Sequence, residues 1–324
     1  MRALVTGATG FVGGHLVRRL HATGHEITAL VRSPTRAAAL APFGVRLVRG
    51  DLADAAALRE AVTGQDVVFH VAGVVAAPNE AEFLRINREG TAAVLDAAAR
   101  AGAPRFVLVS SMAAAGPSPR GRPRAASMPM EPLTAYGRSK RAAEELVRSS
   151  HLAWTIIRPP MVYGPGDREV FKIFQLAARA LGLVPVFGDG SQELSAVYGP
   201  DLAAALVAAA ESEATVGGTY YACHPEIFTS GEFAAHVARA VGRHPRLIPI
   251  PRPIGRAVLA LTGLAAALAD TATVLNADKA HEFFAPAWTG DPAPLEQATG
   301  WRAATGIAEG IPATARWYRE QGWL

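Results

Sequence analysis

Thr6-Gly7-Ala8-Thr9-Gly10-Phe11-Val12-Gly13 is the stretch from which the fold can be read. An apolar run at 3–5 precedes it and an amphipathic run at 11–20 follows, so the glycines fall on a strand–turn–helix junction. Glycine at 7, 10 and 13 permits a tight turn, a close backbone approach and close helix packing. The first turn of such a helix offers free N–H groups and the positive end of its dipole, which suits a pyrophosphate. The octet predicts a dinucleotide-binding turn, with Gly7, Thr9, Gly10, Phe11, Val12 and Gly13 against the cofactor.

Outward from this turn the pattern repeats. Short apolar runs at 27–31, 46–48, 67–70, 106–109 and 155–157 read as buried strands. Amphipathic runs at 53–61, 81–99 and 135–149 read as the helices between them. Alternation of this kind implies right-handed βαβ units, hence an α/β protein built on a Rossmann-type doubly wound parallel sheet. From about Tyr163 the segments become irregular, although 183–187 reads as a strand and 200–211 as a helix returning to the core. The expected organisation is a dinucleotide-binding domain over 1–165 plus about 188–218. A smaller, interleaved substrate-binding part is expected over about 166–187 and 219–324. The segment 112–133, rich in proline and lacking periodicity, reads either as a solvated loop or as a flap over a site.

Composition removes several classes of function. Half of the 324 residues are hydrophobic and 19% are charged, enough for a sizeable core. A single cysteine, Cys223, excludes a disulfide framework and a cysteine-based metal site. The histidines show no metal-binding spacing, since Gly24 breaks the helix between His21 and His25, and no metal is expected. The net charge of +4 is mild, and the basic stretch 120–124 lacks interleaved aromatics, so nucleic acid is not an expected partner. The apolar run 254–269 is shorter than the roughly 20 residues of a membrane span. No signal-peptide pattern opens the sequence, and a cytoplasmic location is expected.

The end of the second strand bears on cofactor choice. An acidic residue there would accept from a ribose 2′-hydroxyl, whereas this chain has Val31-Arg32-Ser33 with Arg36 nearby. A guanidinium pairs with a 2′-phosphate, so NADP is favoured and NAD is the alternative. For the chemistry, Tyr136 and Lys140 stand four apart at a helix start and share a face. An ammonium beside a phenol stabilises phenolate and lowers its pKa, which fits the tyrosine for proton transfer at a carbonyl or alcohol. Ser111 follows the strand at 106–109, at the end where open parallel sheets place ligands. The lysine signal is sharpened by scarcity, because the chain has only Lys140, Lys172 and Lys279.

Taken together, the opening glycine octet, Ser111 and Tyr136-Gly137-Arg138-Ser139-Lys140 resemble the extended short-chain dehydrogenase/reductase superfamily. The resemblance is to its NAD-dependent epimerase/dehydratase family, in the hydroxysteroid-dehydrogenase-like and dihydroflavonol-reductase-like branch. It extends through Asp51-Leu52, His70-Val71-Ala72-Gly73, Asn87 with Gly90-Thr91, Arg158-Pro159 and Tyr163-Gly164-Pro165-Gly166-Asp167. The resemblance implies that Lys140 also holds the nicotinamide ribose, and that Asn87 supports the lysine through its backbone and a water. It implies adenine contacts from Asp51 and Leu52, cofactor backbone near Ala72, and nicotinamide-side contacts from Pro159 and Val162. It also implies a homodimer through the helices at 81–99 and 135–149.

The expected activity is that of an NAD(P)-dependent oxidoreductase moving hydride between the nicotinamide and a carbonyl or hydroxyl of an apolar small molecule. A nucleotide-sugar epimerase is the first alternative. Such members usually carry Asn where this chain has Met161, and a thioether cannot replace the amide's hydrogen bonds. Dehydration lacks acidic groups, since Met112, Ala113 and Ala114 follow Ser111. A non-catalytic NADP-sensing protein is the other alternative, though such proteins typically lose the Tyr or the Lys. The run 254–269 reads either as a buried core helix or as an apolar wall of the substrate pocket.

Overall fold

The computed structural model describes residues 1–103, 105–269 and 272–324. Six strands build most of the central sheet: β1 (Arg2–Thr6), β2 (Glu26–Val31), β3 (Arg46–Arg49), β4 (Val67–His70), β5 (Arg105–Val109) and β6 (Ala153–Arg158). The strand Gly218–Tyr221 adds to β6, and every pairing is parallel. The order is Gly218–Tyr221, β6, β5, β4, β1, β2, β3. The chain therefore works outward from β1 in one direction, then returns to β4 and works outward in the other. The switch between β1 and β4 opens the crevice in which such sheets hold a ligand.

Residue alternation along the strands supplies two cores. Val5, Phe69, Val107 and Ile157 face Leu16, Val17 and Leu20 of the helix Phe11–Ala22 and Leu202 and Leu206 of the helix Gly199–Glu211. Leu4, Val68, Phe106 and Ile156 face the other way, onto Leu58, Val94 and Val147. A sheet covered on both faces needs apolar residues at nearly every position, which is why its strands read as continuous runs. A third cluster, including Phe174, Val184, Phe233, Ile311 and Tyr318, sits in the C-terminal part. It lies beneath the parallel pair Leu183–Phe187 and Arg246–Ile250.

Three elements differ from the sequence pattern in ways that bear on function. The helical run at 81–99 is divided into Glu80–Phe83, a π-helical turn Leu84–Glu89 and Gly90–Arg100. The segment 112–133 begins with a short helix, Met112–Ala115, and is then stitched to 287–290. Ser118 N donates to Ala287 O at 3.0 Å, and Arg124 N donates to Thr289 O at 2.8 Å. The apolar run 254–269 forms the helix Arg252–Leu268 but is not buried core along most of its length. Ile254, Leu261 and Leu268 are 57%, 67% and 81% exposed. Only the opposite face is covered, with Leu259 buried and Gly255 against Phe284. No helix among the described residues is long and apolar enough to cross a membrane.

Candidate active site

The glycine turn has the shape its sequence requires. Gly7 adopts φ +73°, and a Cβ there would lie 2.8 Å from Ala72 Cα. A Cβ on Gly13 would lie 2.1 Å from Gly7 O, so the helix can approach the turn only with glycine at 13. Gly10 N donates to Gly7 O at 2.9 Å and closes the turn, with Thr9 and Gly10 exposed beside it and Phe11 and Val12 half-buried. This backbone cradle, which side chains would fill, fits a dinucleotide pyrophosphate. Further along the strand ends, a cavity of about 370 Å³ is lined by Arg32, Arg49, Gly50, Asp51 and Asp54. Arg49 was not signalled in the sequence: it ends β3, an edge strand whose exposed and buried residues mix. Leu52 is half-buried against the core beside Gly90. Pro159 is buried, its carbonyl accepting from Met112 N at 2.9 Å, and Val162 is half-buried.

A chain of hydrogen bonds runs from this turn to the tyrosine. Ala72 N donates to Thr6 Oγ1 at 3.3 Å, and Thr6 Oγ1 and His70 Nδ1 are 2.8 Å apart. His70 Nε2 lies 3.0 Å from Thr91 Oγ1, which donates to Asn87 O at 2.6 Å. Because the Thr91 proton is used on that carbonyl, Nε2 must carry the imidazole proton, and Nδ1 accepts from Thr6. Burial agrees with a neutral ring, pulling the pKa of His70 down to about 3, with the charge of Lys140 adding to the effect. The Asn87 amide continues the path. Its Oδ1 accepts from Val74 N at 2.9 Å, and its Nδ2 donates to Val74 O at 3.1 Å and to Ser139 Oγ at 2.9 Å. Ser139 Oγ then donates to Tyr136 O at 2.7 Å. Asn87 sits in the π-helical turn, a deformation that recurs at functional sites.

Tyr136 and Lys140 lie on the helix Ala135–Arg148, capped by Thr134, whose Oγ1 accepts from Gly137 N at 3.1 Å. Gly137 allows the close approach that brings this helix to Ser111, since a Cβ there would stand 2.4 Å from Ala113 O. Ser111 caps the helix Met112–Ala115, accepting from Ala113 N at 3.1 Å, and its hydroxyl is near enough to the Tyr136 phenol to favour the phenolate. Lys140 is buried, with Nζ donating to Val109 O at 2.8 Å at the end of β5. Ser111, Tyr136 and Lys140 thus meet at the C-terminal edge of the sheet, beside Gly73 and Asn87.

The electrostatics depart from the expected phenol–ammonium coupling. Burial pushes the Tyr136 phenol up to about 12; the Ser111 hydroxyl opposes this and the charge of Glu282 adds to it. Burial pulls the Lys140 ammonium down to about 8, against the attraction of Glu144. In the protein alone, Lys140 donates to the Val109 carbonyl, and burial keeps the Tyr136 phenol protonated, ready to act as a proton donor.

Three further charged residues at the start of the Tyr136 helix lie far from it in sequence. Lys279 Nζ is 5.9 Å from the centre of the Tyr136 ring and contacts Glu282. Glu282 accepts from Thr134 Oγ1 at 2.6 Å, and Asp278 Oδ2 accepts from Ala135 N at 2.7 Å. The scarcity of lysine was the one sequence signal that singled out Lys279; nothing marked Glu282.

A fold of this topology with this site is that of a dinucleotide-dependent enzyme, and comparisons with known proteins define the class. Residues 3–223 match the model of the NAD dependent epimerase/dehydratase family. The chain is similar to a ceramide reductase of Caulobacter vibrioides, with 37% identity over 99% of this chain and 95% of that protein. It is similar to a 2-alkyl-3-oxoalkanoate reductase of Stenotrophomonas maltophilia, with 33% identity over 75% and 76%. A solved UDP-glucose 4-epimerase of Thermus thermophilus in complex with NAD superposes with a TM-score of 0.77 and 26% identity, over 98% and 99% of the two chains. The chain belongs to the NAD dependent epimerase/dehydratase family. It is an NAD(P)-dependent oxidoreductase of the extended short-chain dehydrogenase/reductase type, as the motifs predict.

Proposed function

We propose that this enzyme reduces a ketone flanked by long alkyl chains, on a lipid of the ceramide or alkyl-oxoalkanoate kind, using NADPH. The observation that carries the reading is the meeting of Ser111, a protonated Tyr136 and Lys140 at the sheet edge, next to the glycine cradle. Met161 and the apolar substrates in the names of the two reductases support an apolar ligand. When bound, the nicotinamide supplies hydride to the carbonyl carbon. Ser111 holds the carbonyl oxygen through its hydroxyl, and Tyr136 gives that oxygen its proton. Lys140 binds the nicotinamide ribose and, once turned from Val109 O, steadies the phenolate left behind. Asn87 positions the tyrosine through Ser139 and holds the loop at Val74.

Gly7, Thr9, Gly10, Phe11, Val12, Gly13, Ala72, Pro159 and Val162 contact the cofactor in this reading, with Asp51 and Leu52 at its adenine. Arg32 and Arg49 pair with the 2′-phosphate, which favours NADP. The substrate is met by the parts about 166–187 and 219–324. Two copies associate through the helices 80–100 and 135–148 in the cytoplasm. The test is a turnover screen of purified protein with NADPH and with NADH, against long-chain 3-oxo lipids, short ketones and nucleotide sugars. Reduction of the long-chain ketones with NADPH is expected. Turnover confined to nucleotide sugars would replace this reading with the epimerase one. Light scattering at micromolar protein, expected to give a dimer mass, checks the assembly.

A further inference from the structure

The helix Arg252–Leu268 exposes an apolar stripe that nothing in the catalytic site uses. Ile254, Val258, Leu261, Leu264 and Leu268 recur at helical spacing and are 57%, 46%, 67%, 58% and 81% exposed. They lie along one face. The other face is seated, with Leu259 buried, Gly255 against Phe284 and Phe187, and Gly263 against Asn276. Immediately before the helix, Leu247 and Ile248 of the outer strand Arg246–Ile250 are also exposed. Single exposed apolar residues need no explanation, whereas a continuous ridge of them marks an interaction surface.

Charge identifies what covers it. From Phe233 through Ala269 the sequence contains Arg239, Arg243, Arg246, Arg252 and Arg256 and no aspartate or glutamate. Those five arginines are exposed. The whole chain carries a net charge of only +4, so this one segment exceeds the balance of the entire protein. An anionic bilayer complements both features, taking the leucine stripe into its acyl boundary and the guanidiniums at its phosphates. The helix spans about 25 Å at 1.5 Å per residue, short of the hydrocarbon core, so it would lie in the interface plane.

We propose that the helix Arg252–Leu268 docks this enzyme onto anionic membrane surfaces. The helix also reaches the site. Its buried face rests on Phe284 and Asn276, at the ends of the stretch whose Asp278 and Glu282 bond the start of the Tyr136 helix. A docked enzyme thus presents the Tyr136 side of the molecule close to the bilayer, where an apolar substrate is concentrated. The docking stands on the surface alone and does not depend on which substrate is reduced.

The test is co-sedimentation with vesicles of phosphatidylcholine alone and of phosphatidylcholine mixed with phosphatidylglycerol. Binding is expected to the mixed vesicles only, weakening with added salt. Replacing both Leu261 and Leu264 by Glu should abolish it. Removing Arg252 and Arg256 as alanines should weaken it about fivefold per arginine. NADPH titration of each variant checks that the fold is kept. Equal binding to both vesicle types, or none to either, overturns the proposal. So does a concentration-dependent rise in mass that the Leu261→Glu change removes, which would make the ridge a contact between copies. Vesicle binding without ketone turnover sinks only the substrate reading, and ketone turnover without vesicle binding sinks only the docking.

Discussion

At the scale of single residues, the site is organised around protons. Tyr136 is held protonated with its pKa near 12, which suits an acid that completes a ketone reduction. Tyr136→Phe removes only the phenolic oxygen, so turnover should fall by roughly 10²–10⁴-fold while NADPH affinity in a fluorescence titration stays unchanged. Near-wild-type turnover would take Tyr136 out of the mechanism. Lys140 makes a different prediction. It titrates near 8 in the folded protein and near 10.5 when unfolded, so the unfolded chain binds more protons between those values. Stability should therefore rise as pH rises from 8 to 10.5, the burial penalty being fully present below 8. The whole effect is up to about 3 kcal/mol, and Lys140→Met should flatten it in urea unfolding at several pH values. The identities of Tyr136, Lys140 and Ser111 were legible because four-residue spacing and the end of a strand fix them locally. Their charge states were not. The ammonium was expected to lower the phenol's pKa, and instead it is turned to Val109 O, a partner that only the sheet brings near.

At the scale of elements, the strand–turn–helix opening was legible because its three glycines are steric necessities. Gly13→Ala would place a methyl 2.1 Å from Gly7 O, and loss of measurable NADPH binding is expected in calorimetry. Arg32→Asp should weaken NADPH and favour NADH, because a carboxylate repels the 2′-phosphate and accepts from a 2′-hydroxyl. A wild type that already prefers NADH in the same titration would refute this role for Arg32. The π-helical turn Leu84–Glu89 was not legible. Its residues keep a helical apolar rhythm, and one extra residue per turn leaves no mark in that rhythm. The exposed helix Arg252–Leu268 misled for a related reason. Periodicity reports that a face is apolar and says nothing of what meets it.

For the molecule as a whole, one buried carboxylate ties the catalytic helix to the sheet. Glu144 is fully buried and accepts from Ser110 Oγ at 2.5 Å, from Arg158 Nε and Nη2 at 2.9 and 2.7 Å, and from Arg148 Nη2 at 2.8 Å. Ser110 follows β5, Arg158 ends β6, and Arg148 reaches Thr219 on the last strand at 3.2 Å. Three strands that are distant in sequence are thus pinned to the turn of helix that follows Lys140. The Arg158-Pro159 pair was visible in the sequence as a motif, but its partner was not, because a Glu on an amphipathic helix ordinarily faces water. Glu144→Ala would leave the Arg158 guanidinium buried without a counter-charge, a loss of about 3–5 kcal/mol. Removing both partners costs less than the sum of the two single losses, because neither charge is then left behind. Denaturant unfolding of Glu144→Ala, Arg158→Met and the double variant measures this coupling. Additive losses would mean that the carboxylate and the guanidinium stabilise the fold independently. The geometry argues otherwise, since Glu144 takes both of the charged contacts that Arg158 makes, and the shorter of them, 2.7 Å, is also the shortest charged contact of Glu144.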